Sequence, residues 1–332
     1  MTFGTITLND GNSIPAIAYD TGSKWKYKSV VEFVATATET GFSHLDTAQL
    51  YLTEPDVGQA IRESGLARSE FFVTTKFGGG DVQEEFDKSL HKVNLNWDTP
   101  CQIVTWLQTS RIVGEKGIAG TWLELEISSA VGEPGMLAPL RSSHTAHYAI
   151  ARSIGVSNFT VDHLETVAEV STITPVVNQI HLHPYNYADM ETVHYCSAHG
   201  IVVEAYSGLD PITKFPGGPI DAPLIAAASR RGATMVQALF LWVRAKGVTI
   251  VTTSSTRAHM EEYMAVGNLE PLSNEEVAAI DEAGRAGPPL LNVKMLARRQ
   301  LLTLRRHRTG LLAFAVLLLL VLGTGWRLRI MD

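Results

Sequence analysis

Asp46, Tyr51 and Lys76 place an acid, a phenol and an amine within one short stretch of a 332-residue chain. Asp46 and Tyr51 follow the apolar run that starts at Phe42, and Lys76 closes the run Phe71-Phe-Val-Thr-Thr-Lys. A phenol titrates ordinarily near ~10. It becomes a usable proton donor when an adjacent cation stabilises its phenolate. Lys76 is expected to supply that charge and Asp46 to hold Lys76. Each residue alone reads as an ordinary cap, half-buried aromatic or solvated strand end; the combination is what suggests chemistry.

The elements that must bring these groups together follow from hydrophobic period. Residues 2–18 read as a hairpin, with Thr-Ile-Thr-Leu alternating, a turn at Asn9 to Asn12, and a strand from Ile14 to Ala18. Strand patterns at 42–47, 71–76, 153–157, 176–180, 201–205 and 248–252 then alternate with helical patterns at 30–40, 54–64, 82–93, 161–170, 190–199 and 236–246. A strand-helix unit recurring about eight times predicts an α/β fold, a (β/α)8 TIM barrel behind the N-terminal hairpin, with a doubly wound sheet as the alternative. Polar positions decide for the barrel. Asp46, Lys76, Asn158, Gln179, Tyr206 and Ser254 each fall at or just past the C-terminal end of a different apolar strand, and a barrel gathers such ends at one mouth.

Composition narrows the partner. The chain is 45% hydrophobic with a net charge of −7, and residues 1–290 carry no charge block of the kind that binds nucleic acid. A small molecule is the expected partner. Cys101 and Cys196 form no Cys-x-x-Cys pair and the N-terminus shows no signal-peptide pattern, so a cytoplasmic location is expected. His181 and His183 alternate on one strand, yet no third ligand lies at recognisable spacing, so no metal site is expected.

The motif Gly-Phe-x-His-x-Asp-Thr-Ala-x-x-Tyr, followed by Glu-x-x-Val-Gly-x-Ala-Ile-Arg-Glu-Ser-Gly and Val-Thr-Thr-Lys, resembles the aldo-keto reductase family. The resemblance covers residues 3 to about 96 and 150 to about 289. Lys-Phe-Gly-Gly-Gly-Asp from Lys76 and Val-Thr-Thr-Ser-Ser-Thr from Val251 look closest to fungal reductases of conjugated polyketones and related ketones. It implies reduction of aldehydes or ketones to alcohols, with hydride from a nicotinamide cofactor and the proton from Tyr51. No Gly-x-Gly-x-x-Gly opens a helix, so a Rossmann fingerprint is not the binding device. By resemblance, Ser157, Asn158 and Gln179 bond the nicotinamide carboxamide, Tyr206 stacks on its ring, and Thr21, Ser207 and Leu209 also line the cofactor. The loop from Ser207 to Pro219 covers its phosphates. Thr253 and His259 stand where the family commonly has Lys and Arg around Ser254, and Arg257 is the substitute clamp for the adenosine 2′-phosphate. NADPH is therefore expected over NADH.

The resemblance breaks in two places. If Ile103 to Leu107 form the fourth barrel strand, Gln108 occupies the position of the family's catalytic His. Gln can donate a hydrogen bond to a carbonyl but exchanges no proton near neutral pH. This motivates the alternative of a cofactor-binding sensor or pseudoenzyme without turnover. Residues 127–149 read as an inserted loop. The expected organisation is thus a barrel over 1–289, a basic linker over 290–309 and an apolar helix outside the barrel over 310–326. That last stretch rises about 25 Å as a helix, a marginal span for a hydrocarbon core of about 30 Å. With more arginines on the barrel side, it is expected to tail-anchor the protein with the barrel facing the cytosol, or else to pack on the core.

Overall fold

Asp10-Gly11 turns the chain at the start, with Gly11 at φ 85°, a left-handed conformation that glycine takes without steric cost. The hairpin it joins is β1 (Thr5–Thr7) against β2 (Ser13–Pro15). The single strand expected over 14–18 divides here. Ala16 gives its N–H to Gly4 O in the hairpin while its carbonyl accepts from Ile250 N in the barrel, so the chain passes from one sheet to the other at that residue. Leu8 and Ile14 pack with Phe72, Val176 and Val177, which puts the hairpin over the N-terminal ends of the barrel strands.

The computed structural model describes residues 3–22, 25–93, 103–108, 117–130 and 153–289. Two units divide the chain, Met1–Gly287 and Pro288–Asp332; of the second, Pro288 and Pro289 alone are among the described residues. The expected linker 290–309 and apolar helix 310–326 lie outside them. Among the described residues no helix is long and apolar enough to cross a membrane.

Eight parallel strands close into a barrel: β3 (Ile17–Asp20), β4 (His44–Asp46), β5 (Phe72–Lys76), β6 (Ile103–Gln108), β7 (Ser153–Ser157), β8 (Val177–His181), β9 (Val202–Tyr206) and β10 (Thr249–Thr252), with β10 returning to β3. Each strand ends on a polar residue. Between and after them run α1 (Val31–Glu39), α2 (Glu54–Glu63), α3 (Val82–Val93), α4 (Gly117–Ala130), α5 (Val161–Ala168), α6 (Met190–Ala198), α7 (Asp210–Thr213), α8 (Asp221–Arg230), α9 (Met235–Ala245), α10 (Arg257–Ala265) and α11 (Asn274–Arg285).

Local sequence explains several boundaries. Capping boxes at Thr234/Gln237 and Ser273/Glu276 start α9 and α11. The loop expected from residue 127 begins later, because α4 stays helical through Ala130. Its last turns are held by buried Trp122 and Leu125, and the Glu126 carboxylate accepts from Trp122 Nε1, Thr172 N and Ile173 N. Residues 131–149 lie outside the described residues.

Candidate active site

The centre of the mouth is built from the ends of adjacent strands. Asp20 of β3 sits in register with Asp46 of β4, and Lys76 ends β5 next in order. Lys76 Nζ forms an ion pair with Asp46 Oδ1 and donates to Thr47 O at 3.1 Å. Burial works against the ammonium, but Asp46, with Tyr51 and Asp20 behind it, more than offsets that and holds Lys76 above the ordinary lysine value.

Tyr51 ends a 3-10 turn, Gln49–Tyr51, which gives way to Leu52 at φ 59°. Gln49 fixes that turn. Its Oε1 accepts from Gly78 N at 2.5 Å, and its Nε2 donates to Glu85 O at 2.8 Å and Ser89 Oγ at 2.9 Å. Lys76 Nζ lies 5.2 Å from the centre of the Tyr51 ring, and Lys26 Nζ lies 4.8 Å from it. Sequence reasoning expected Lys76 to bring the phenol down. Burial instead dominates and pushes Tyr51 above the usual tyrosine value, against the downward pull of Lys76 and with Asp20 and Asp46 adding to the rise. The phenol is therefore fully protonated at neutral pH.

Gln179, expected to face a cofactor, spends its amide nitrogen inside the barrel. Nε2 donates to Asp46 Oδ2 at 2.7 Å and to Glu204 Oε2 at 2.8 Å. The Gln179 backbone carbonyl accepts from Ser157 Oγ at 3.0 Å and from Asn158 N at 2.9 Å. Asn158 stands at φ 60°, just past β7, and its Oδ1 accepts from Tyr206 OH at 2.8 Å. Ser157, Asn158, Gln179 and Tyr206 thus form one bonded group. The Tyr206 ring stacks on His181 with centroids 5.4 Å apart.

The remaining expected residues are more dispersed. Thr21 is fully buried, its hydroxyl donating to Asp46 O and sharing a hydrogen bond with Thr53, so it braces β3 against β4. Ser207 is left-handed at φ 59°, and Leu209 packs on the core at the start of α7. Ser254 Oγ accepts from Thr256 N at 3.1 Å and lies 3.4 Å from His259 Nδ1. Arg257 opens α10 and forms an exposed ion pair with Glu39. Gln108 ends β6 in register with Ser157.

Four residues of the site escaped sequence reasoning. Asp20 is pushed up to about 7, by burial first and by Asp46 second. Glu204 is pushed up to about 8 for the same two reasons. It faces His44 Nδ1 at 3.8 Å, and burial brings His44 down to about 4. Gly22 is the third: a Cβ there would stand 2.6 Å from Tyr51 Cε2 and 2.9 Å from Asp20 Oδ1. Gln49 is the fourth. A glycine at 22, four residues past the strand pattern that ends at Ala18, was the one local signal available; the partners of Glu204 and Gln49 lie on other elements.

The sequence profile of the aldo/keto reductase family matches residues 1–102 and 150–211. A Schizosaccharomyces pombe NAD/NADP-dependent indole-3-acetaldehyde reductase is 31% identical over 287 residues, covering 83% of this chain and 93% of the relative. A Saccharomyces cerevisiae NADPH-dependent alpha-keto amide reductase is 29% identical over 306 residues, covering 86% and 92%. The crystal structure of a Bombyx mori aldo-keto reductase in complex with NADP superposes with a TM-score of 0.72 at 28% identity, covering 85% of this chain and 93% of that one. The chain belongs to the aldo/keto reductase family.

Proposed function

We propose that the protein reduces aldehyde or ketone carbonyls to alcohols, with hydride from NADPH and the proton from Tyr51. The observation that carries this reading is the buried Lys76–Asp46 pair set against the Tyr51 ring at the mouth of a barrel of this family. The donor set fits the cofactor. Ser157, Asn158 and Gln179 bring a hydroxyl and two amide side chains together; Gln179 has both amide protons on Asp46 and Glu204, so it would meet the carboxamide through its oxygen, which accepts from the carboxamide nitrogen. Tyr206 offers a flat face beside them.

When bound, the nicotinamide supplies the hydride that no side chain can. The rest falls to the chain. Tyr51 keeps its proton until a carbonyl oxygen gains negative charge, then releases it. Lys76 stabilises the phenolate left behind, and Asp46 with Thr47 O holds Lys76 in position. Gln108, at the end of β6, is the candidate to donate a hydrogen bond to the carbonyl. Ser254, Arg257 and His259 are the candidates for the adenosine end, with Thr21, Ser207 and Leu209 framing the cofactor's path. Arg257 must exchange Glu39 for the 2′-phosphate. An exposed ion pair is worth about 0–1 kcal/mol, so the exchange is cheap and favours NADPH over NADH.

We assign residues 1–289 to the reductase body, 131–149 to an insertion, 290–309 to a linker and 310–326 to membrane attachment with the body on the cytosolic side. Sedimentation of the full chain beside a chain ending at Pro289 tests the attachment. The binding-only alternative rests on Gln108, and the reductase names of the relatives weigh against it. The test of function is NADPH oxidation with aldehydes, α-ketolactones and diketones. Alcohol formed in step with NADPH consumed is expected; tight NADPH binding with no turnover on any of them would overturn the reading.

A further inference from the structure

We propose that His181, His183 and Asp210 form a binding site for a divalent transition metal of the zinc class at the rim of the barrel mouth. His181 is the last residue of β8 and His183 lies two further on. Their rings meet edge to face with centroids 4.7 Å apart. The sequence spacing held no third ligand, but the fold supplies one. Asp210 opens α7, 29 residues after His181, and its Oδ2 lies 3.3 Å from His181 Nε2. One ligand atom from each of the three residues lies within 4.8 Å of the other two.

One feature favours an ion here over a chance cluster, and one competes with it. The first is a shared brace: Asn186 Oδ1 accepts from His183 N at 2.7 Å, and its amide nitrogen donates to His181 O and to Asp189 Oδ2. One side chain thereby fixes the backbone of both histidines. The second is that Lys214 already pairs with the carboxylate, a rival that a metal must displace. Lys214 Nζ lies 2.8 Å from Asp210 Oδ2 on a side chain that is 62% exposed, free to swing into water when a metal arrives.

Two imidazoles and a carboxylate suit zinc, cobalt or nickel better than calcium or magnesium, which prefer all-oxygen shells. Metal–ligand bonds of about 2.0–2.2 Å require the three atoms to draw closer than they stand. His181, the more exposed partner of the His181–Asp210 pair, is the side chain with room to make that movement. Ligation also exchanges the proton on His181 Nε2, and either the ring proton of His183 or the 3.2 Å bond from Tyr185 N to its Nδ1, for the metal. Because His181 stacks on Tyr206, an ion held here would also fix the His181 ring beside Tyr206.

The test is independent of reductase activity. Tag-free protein is titrated with Co²⁺, followed by visible absorption, and with Zn²⁺, followed by calorimetry. One equivalent is expected to bind at micromolar concentration, with the intense visible bands of four- or five-coordinate Co²⁺. His181→Gln and Asp210→Asn, each checked for native circular dichroism, are expected to weaken binding about 10-fold or more. Lys214→Met keeps all three ligands and removes the competing ammonium, so it is expected to tighten binding. Absence of saturable uptake, or the same affinity in all three variants as in the parent, would overturn the proposal.

Discussion

On the β4–β5 side of the mouth, Lys76 and Asp46 are sealed at 2% and 1% side-chain exposure, whereas at the edge of α10 Arg257 and Glu39 are 48% and 62% exposed. The same kind of pair does opposite work in the two places. Sealing charges from water costs several kcal/mol per ion unless geometry and further hydrogen bonds compensate. The inner pair meets that condition, since Thr47 O takes a second ammonium proton and the Gln179 amide takes the second Asp46 oxygen. An exposed pair carries little energy and is screened by salt. A fixed inner charge can serve a proton donor whose geometry must not change. A loose outer charge can trade partners with an arriving anion.

The sharpest way to break this contrast is Lys76→Met. It leaves Asp46 buried and unpaired, so a loss of about 3–5 kcal/mol in unfolding free energy is expected from urea melts, together with loss of carbonyl reduction. Retention of both would mean that the inner pair is as dispensable as the outer one.

Gly22→Ala disturbs the inner side without touching a charge. Its Cβ would come within 2.6 Å of Tyr51, and a displacement of about 1 Å at a reacting group can cost about 100-fold in rate. We expect turnover to fall by about 10- to 100-fold while the melting temperature changes little. An unchanged rate would show that the Tyr51 ring has freedom the packing denies.

Glu204→Gln sharpens the comparison through pH. The folded pKa of Glu204, about 8, lies above the ordinary glutamate value of 4.5, so between these values the folded state holds more protons than the unfolded one. Stability from this group is therefore complete below about 4.5 and is lost as pH rises through about 8. His44 works the other way, but only between about 4 and 6.5. Between about pH 6.5 and 8.5 the parent is thus expected to lose more stability than Glu204→Gln, read from urea midpoints at both ends. Parallel curves would contradict a proton-holding Glu204.

The smallest effect is expected at the outer pair. Arg257→Ala is predicted to raise the KM for NADPH about 10-fold, about 1.4 kcal/mol, with NADH unaffected and stability within about 1 kcal/mol. Equal losses for the two cofactors would remove Arg257 from the 2′-phosphate.

What was legible in the sequence followed from how local each relation is. Asp46 and Tyr51 lie on one strand and the turn after it, and Lys76 ends the next strand, so one motif displays all three. The strand ends at Lys76, Ser157 and Tyr206 could be read because apolar runs stop there. Glu204 could not, since its partner Gln179 faces it only through β8–β9 register. Asp210 meets His181 only after β9 and its loop return the chain to the mouth. The break at Ala16 was hidden because Ile14 to Ala18 is one apolar run, and only the change of hydrogen-bond partner divides it. Lys76 does pull the Tyr51 phenol down, as the spacing implies, but burial outweighs it: spacing reveals that a cation is near, but not how deeply the phenol is buried.

The central claim is that Tyr51 delivers the proton from a site whose framework is the buried Lys76–Asp46 pair. It is tested most directly by single-turnover NADPH oxidation with an aldehyde, comparing the parent with Tyr51→Phe after NADPH affinity has been measured for each by fluorescence quenching. Affinity preserved within about twofold with a rate reduced by about 10²- to 10⁴-fold is the predicted result. Equal rates at equal NADPH occupancy would contradict it.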